Sequence, residues 1–243
     1  MTDDQVFDPA DILDRITAAS ERLFDTAARF SDADVRGPSL LPGWSRGHVL
    51  THLARNADGG SHLLVWARTG VETPEYPSMA ARAEQIEAGA GRGAAALLAD
   101  VRDSAARFAV EYARMPAAAW ERVVRWTGGQ RHPAARAADS RLCEVLVHHV
   151  DLDADYTAAQ WPAAFTDDML RKVVASFNGR GDSPAMRLHA TDSDTSYEVG
   201  DAHEARTIHG SKASLLAWLM GRGAGTDLAV QDRGELPEPP FLY

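Results

Sequence analysis

From Asp8 to about Trp161, apolar residues recur mostly at the three- and four-residue spacing of helices; beyond Pro162 they alternate in shorter runs. Ile12, Ile16, Ala19, Leu23, Ala27 and Phe30 form one stripe. Asp8-Pro9 starts the helix beneath it, because the carboxylate caps free N–H groups and a proline at the first position gives up an N–H that had no partner. Arg36 to Trp44, with two prolines and two glycines, predicts a loop. Ser45 caps a second helix carrying His48, Leu50, His52, Leu53 and Ala57, then His62, Leu63 and Val65. A third helix is expected from near Ser78 to Met115, bent or broken where Gly89, Gly91 and Gly93 weaken it. Val123 to Gly129 predicts a short strand entering a turn. Pro133 then opens a fourth helix through Leu142, Val145, Leu146, Val147 and Val150 to about Tyr156. Four helices with one long connection predict a four-helix bundle.

After Pro162 the expected elements are a helix over about 167–177, a Gly-Arg-Gly-Asp turn, and strands at 186–190 and 195–199 joined by a hairpin at 191–194. A third strand over 206–210 and an apolar helix over 214–220, ending at Gly221-Arg222-Gly223, complete a small α+β unit. The expected fold class is thus mixed: an α-helical bundle over 1–160, then an α+β domain over 161–243.

Composition narrows the functional classes. With 243 residues, 45% hydrophobic and 25% charged, the chain can bury a sizeable core. The formal net charge of −10, with no basic run longer than two residues, argues against nucleic acid and anionic membrane surfaces as partners. No apolar run approaches the roughly 18–20 residues that cross a bilayer. The acidic start Met1-Thr2-Asp3-Asp4-Gln5 does not read as a secretion signal, and a single cysteine excludes an internal disulfide. A cytoplasmic protein is expected.

Nine histidines in an acidic chain prompt a search for metal ligands. Glu144 and His148 are four residues apart on the fourth helix, on one face of an almost wholly apolar segment. A carboxylate buried there needs a counter-charge, and a cation meets that need. His48 or His52, also four apart, can complete a three-ligand site from the second helix; spacing does not choose between them. Two histidines and a glutamate suit zinc and leave one position open, as catalytic sites do. The plain alternative is a hydrogen-bonded Glu/His pair on a helix. His149, about 100° around the helix from His148, is expected to be solvated, as are Asp151 and Asp153 at the helix end. Cys143 reads as a small core residue, Asp58 as a weak candidate for supporting the site, and His189 and His209 as ordinary strand positions. Arg222, between two glycines, can leave the helix axis and grip a carboxylate, or else bond the last helical carbonyls.

The segment Leu41-Pro42-Gly43-Trp44-Ser45-Arg46-Gly47-His48-Val49-Leu50-Thr51-His52-Leu53 resembles the signature of the mycothiol-dependent maleylpyruvate isomerase family, within the DinB-like metal-binding bundles. Glu144-Val145-Leu146-Val147-His148-His149-Val150-Asp151-Leu152 is similar to that family's second metal segment, and Leu216-Ala217-Trp218-Leu219-Met220-Gly221-Arg222 to its C-terminal domain, which is related to sterol carrier proteins. The resemblance implies zinc on His52, Glu144 and His148, with Arg222 in the active site and the C-terminal domain closing it. It also implies mycothiol as a thiol cofactor and an enzyme acting on a small dicarboxylate in gentisate-type aromatic catabolism; a monomer is expected. Maleylpyruvate would become fumarylpyruvate by addition of the thiolate to the double bond, rotation, and loss of the thiolate. Two rivals remain: a mycothiol S-transferase that conjugates electrophiles, and a non-catalytic metal-binding regulatory module.

Overall fold

The computed structural model describes residues 7–231 and 234–239, so the Met1–Gln5 reading lies outside the described residues. The chain divides into two compact units between Asp155 and Tyr156.

The first unit is helical. Helix α1 (Pro9–Ala27) is capped by Asp8, whose carboxylate accepts from the N–H groups of Ala10 and Asp11. Its stripe is buried as far as Ala27; Phe30 lies beyond the helix end. A short helix that the apolar pattern does not reveal, α2 (Asp32–Arg36), follows a Ser31/Asp34 capping box. Helix α3 (Arg46–Thr69) is capped by Ser45 and ends at Gly70. The expected long third helix is two: α4 (Met79–Ala90) and α5 (Ala94–Ala113), separated at Gly91–Gly93. Strands β1 (Val123–Arg125) and β2 (Arg131–Pro133) pair antiparallel as a small hairpin. Pro133 therefore ends a strand, and α6 starts two residues later, at Ala135–Asp151. Helices α1, α3, α5 and α6 form the bundle, and α4 lies against α3. Leu23, Val49, Leu50, Leu53, Leu97, Val101, Phe108 and Val145 fill its core.

Close approach of backbones fixes α3. A Cβ on Gly47 would lie 2.2 Å from the Ala90 carbonyl oxygen, so only glycine lets the start of α3 meet the end of α4. Gly43, at φ +80, makes the turn before it. Arg46 then donates through Nε to the Leu152 carbonyl at 2.6 Å and through Nη2 to the Asp153 carbonyl at 2.8 Å. The first turn of α3 is thereby tied to the end of α6.

The second unit holds α7 (Ala163–Asn178), β3 (Met186–Ala190), β4 (Thr195–Val199), β5 (Thr207–Gly210), α8 (Lys212–Leu219) and β6 (Ala229–Val230). Its sheet has the order β4-β3-β5-β6, with β3 and β4 an antiparallel hairpin and β3 and β5 parallel. Met186, Leu188, Ala190, Val199 and Ile208 turn inward beneath α7 and α8, giving the α+β layer that the alternation predicts. No helix among the described residues is long and apolar enough to cross a membrane.

Candidate metal centre

Two segments about ninety residues apart converge on one carboxylate oxygen. His52 faces inward from α3, with 3% of its surface exposed. Its Nε2 lies 2.8 Å from Glu144 Oε2, and His148 Nε2 lies 3.2 Å from the same oxygen. Glu144 and His148 share a face because one turn of α6 separates them. One candidate ligand atom from each of the three lies within 4.8 Å of the others, the one such group among the described residues. Bonds to zinc are roughly 2.0–2.2 Å long, so small side-chain rotations let all three reach one ion. Glu144 keeps 28% of its side chain exposed against 4% for His52, so the cluster opens on the carboxylate side. Such a donor set can hold a metal.

Neighbouring groups fix the rings. Asp151 Oδ2 accepts from His148 Nδ1 at 2.7 Å, and Asp151 itself is fully buried. A carboxylate on Nδ1 holds the proton there and leaves Nε2 as the ligand atom, the usual outer support of a metal-binding histidine. His52 is held differently. Arg82, on α4, sits with Nη2 2.9 Å from His52 Nδ1. A guanidinium only donates, so Nδ1 accepts and the ring proton sits on Nε2, aimed at Glu144. His52 becomes a neutral ligand through Nε2 only when that proton moves to Nδ1 and Arg82 withdraws. The Tyr76 ring, 5.7 Å from the Arg82 guanidinium carbon, lies close by, and Trp44 packs edge-on against His52 at 5.7 Å.

The charges follow from burial and from these contacts. Burial, helped by the positive His148, pushes the His52 pKa down to about 4 against the pull of Glu144. Burial also opposes charge on His148, but hydrogen bonds to Asp151 and Glu144 outweigh it and raise the pKa to about 9. Burial raises Glu144 less than the two histidines lower it, and its pKa ends well below the ordinary carboxylate value. Without metal the cluster is a carboxylate between one neutral and one cationic imidazole. A divalent cation would replace the proton on His148 Nε2.

Comparison with known proteins identifies the family. Residues 16–153 match the family model described as the mycothiol maleylpyruvate isomerase N-terminal domain, and residues 160–241 match that of its C-terminal domain. The chain belongs to the mycothiol maleylpyruvate isomerase family. A crystal structure of the mycothiol-dependent maleylpyruvate isomerase superimposes with a TM-score of 0.92 at 28% identity, covering 100% of both chains. A crystal structure of a histidine-to-alanine mutant of that enzyme gives the same TM-score, identity and coverage. No curated protein sequence matches the chain significantly.

Against this family background, the other candidate residues fall into distinct places. His48 is absent from the cluster because its ring completes the α3 cap: Nδ1 is 2.7 Å from Ser45 Oγ and accepts from the Ser45 N–H at 3.1 Å, while Nε2 pairs with Glu87. His149 is not solvated. It is 1% exposed, with Nε2 2.8 Å from Thr26 Oγ1, because α6 is covered by α1 on one side and α3 on the other. Asp151 is likewise no solvated helix end; its three-residue spacing from His148 was the available signal. Asp153, by contrast, lies past the helix and pairs with Arg46. Asp58 pairs with Arg55 and Arg107. Arg82 carried no sequence signal, since nothing in its helix marks which side chain reaches His52.

In the C-terminal domain, Arg222 follows α8 after Gly221, whose φ is +70. Its backbone N–H donates to the Ala217 carbonyl at 2.7 Å, and Nη1 donates to the Met220 carbonyl at 2.8 Å. The side chain thus caps the end of its own helix in this arrangement. His189 and His209 face each other from β3 and β5, with ring centroids 5.2 Å apart.

Proposed function

We propose that this chain is a zinc- and mycothiol-dependent cis-trans isomerase that converts maleylpyruvate to fumarylpyruvate in gentisate-type aromatic catabolism, acting in the cytoplasm as a monomer. The observation that carries the reading is the single Glu144 oxygen within hydrogen-bonding reach of two imidazoles, one buried and one partly buried. The full-length likeness to a mycothiol-dependent maleylpyruvate isomerase supports the reaction and the thiol.

His52, Glu144 and His148 hold the metal. Two imidazoles and a carboxylate are borderline-soft donors that suit zinc, and three protein ligands leave a fourth position open. When bound, metal and thiol together supply a thiolate at neutral pH, the nucleophile whose reversible addition frees the double bond to turn. The chain's own groups prepare that position. Asp151 fixes the ring and tautomer of His148, so Nε2 faces Glu144 before any ligand arrives. Arg82 blocks His52 Nδ1 until its guanidinium moves aside. Trp44 packs edge-on against the His52 ring and holds it in place. Arg222 takes a substrate carboxylate in its fork and steadies the negative charge that develops next to the carbonyl. Cys143 is adjacent to Glu144 in sequence and so about 100° around α6 from it, and the thiol comes from outside the chain.

The test is metal analysis of the purified chain, joined to an absorbance assay with maleylpyruvate, with and without mycothiol. One zinc per chain and thiol-dependent isomerisation that regenerates the thiol are expected. Equal turnover without thiol would remove the cofactor from the reading, whereas thiol consumed in step with product would mark an S-transferase. Arg222→Ala should depress turnover and leave the metal content intact; unchanged turnover would return Arg222 to helix capping.

A further inference from the structure

The two histidines of the cluster are supported in opposite ways. His148 Nδ1 donates to the Asp151 carboxylate at 2.7 Å, which leaves Nε2 free for a metal. The group on His52 Nδ1 is instead the Arg82 guanidinium, at 2.9 Å. A neutral imidazole that gives the Nε2 lone pair to a cation carries its proton on Nδ1, and a guanidinium has no lone pair with which to accept it. Two donors would then face each other beside a ring that is 3% exposed. That is costly unless an acceptor comes between them.

Arg82 is itself short of an anion. Among the described residues no carboxylate pairs with it, and its other close neighbour is the ring of buried Tyr76, 5.7 Å from the guanidinium carbon. It stands near the start of α4, the positive end of that helix, whose first turn holds no acidic residue. A guanidinium so placed gains nothing from its own helix and adds to a field that favours negative charge. Arg82 is partly exposed where His52 is not, so its long side chain can swing outward.

We propose, building on a metal at this cluster, that a carboxylate of the substrate enters between Arg82 and His52, with one oxygen accepting from the guanidinium and the other from the His52 Nδ1–H. The ligand thereby gives His52 the support that Asp151 gives His148. A carboxylate is planar and smaller than a guanidinium, so the volume vacated as Arg82 swings outward can hold it. The dicarboxylate of the proposed reaction has one carboxylate on Arg222, and Arg82 takes the other. Without metal, Nδ1 is an acceptor and repels the anion; with metal, Nδ1–H attracts it. Metal and carboxylate therefore tighten each other's binding by the same factor.

The experiment measures zinc affinity by competition with a chromophoric chelator. It uses metal-stripped, full-length protein with and without maleate, a cis dicarboxylate, at constant ionic strength. In the native protein maleate should raise zinc affinity by at least about fivefold, the low end of ordinary couplings between sites. Arg82→Met keeps an unbranched stem and removes the charge and the donors. Zinc should bind this variant more tightly than the native protein when maleate is absent, and the maleate response should be lost. Arg82→Lys, a cation without the fork, should keep part of the response. If Arg82 only packed the helix, Arg82→Met would bind zinc more weakly or respond to maleate as the native protein does. Either result overturns the proposal, as does a native protein indifferent to maleate. Native protein that takes up no zinc would overturn the metal reading and the Arg82 assignment together. Zinc uptake with the native maleate response intact in Arg82→Met would overturn the Arg82 assignment alone.

Discussion

Arg141 and Glu144 share a helix and lie less than a turn apart, yet their surroundings treat them in opposite ways. Around Glu144, His52, His148, Asp151 and Arg82 form a chain of hydrogen bonds from α4 through α3 to α6. Around Arg141 only one of the three guanidinium nitrogens is met. The first network is complete with a proton standing where a cation can stand. The second leaves buried N–H groups without acceptors. Satisfied buried polar groups rigidify a core, and unsatisfied ones cost stability.

That contrast can be broken from either side. The largest effect is expected for Glu144→Ala, which removes the shared oxygen: metal analysis should find the site empty, and thiol-dependent turnover should fall to background. Next is acid sensitivity. His52 and His149 both have folded-state pKa values of about 4, below their ordinary 6.5, so the folded metal-free protein binds fewer protons than the unfolded chain between those values. Their contribution is whole above about pH 6.5 and is lost as pH falls towards 4. At about 1.4 kcal/mol per pKa unit, each is worth up to ~3 kcal/mol. Urea denaturation of the metal-free protein across that range should show the slope, and His149→Gln should remove part of it. Asp151→Asn should weaken metal affinity about 10- to 100-fold in a chelator competition while the fold persists; unaltered affinity would mean that Asp151 serves only the helix end. The smallest effect belongs to Ser20→Ala. Removing an unpartnered buried hydroxyl should shift stability by less than about 1 kcal/mol in either direction, measured by denaturant midpoint.

Much of the bundle was legible in the sequence because its signals are local. The Asp8-Pro9 start, the Ser45 cap and the glycines at 91 and 93 act within one turn of themselves. Helix α2 and the Pro133 strand were missed for the same reason: five residues carry too little periodicity, and a proline reads equally well as a helix start or a strand end. The Glu144/His148 pairing is a spacing and could be read. The choice of His52 over His48 depends on a cap that turns one ring away, and only three-dimensional contacts reveal it. His149 misled because angle around a helix tells which residues diverge, without telling whether water or another helix lies on that side. Arg82 and Arg141 are the hardest cases. Long flexible side chains reach across the core from positions that no pattern marks.

Arg46 has a consequence for how this sequence can change over time. By gripping the carbonyls of Leu152 and Asp153 it acts as a ruler, setting His52 six residues along one helix against His148 four residues back along the other. Loss or gain of a single residue between the grip and either histidine would swing that ring about 100° away from its partners. Substitutions in these stretches, at positions other than Gly47, leave that spacing intact, whereas insertions and deletions do not.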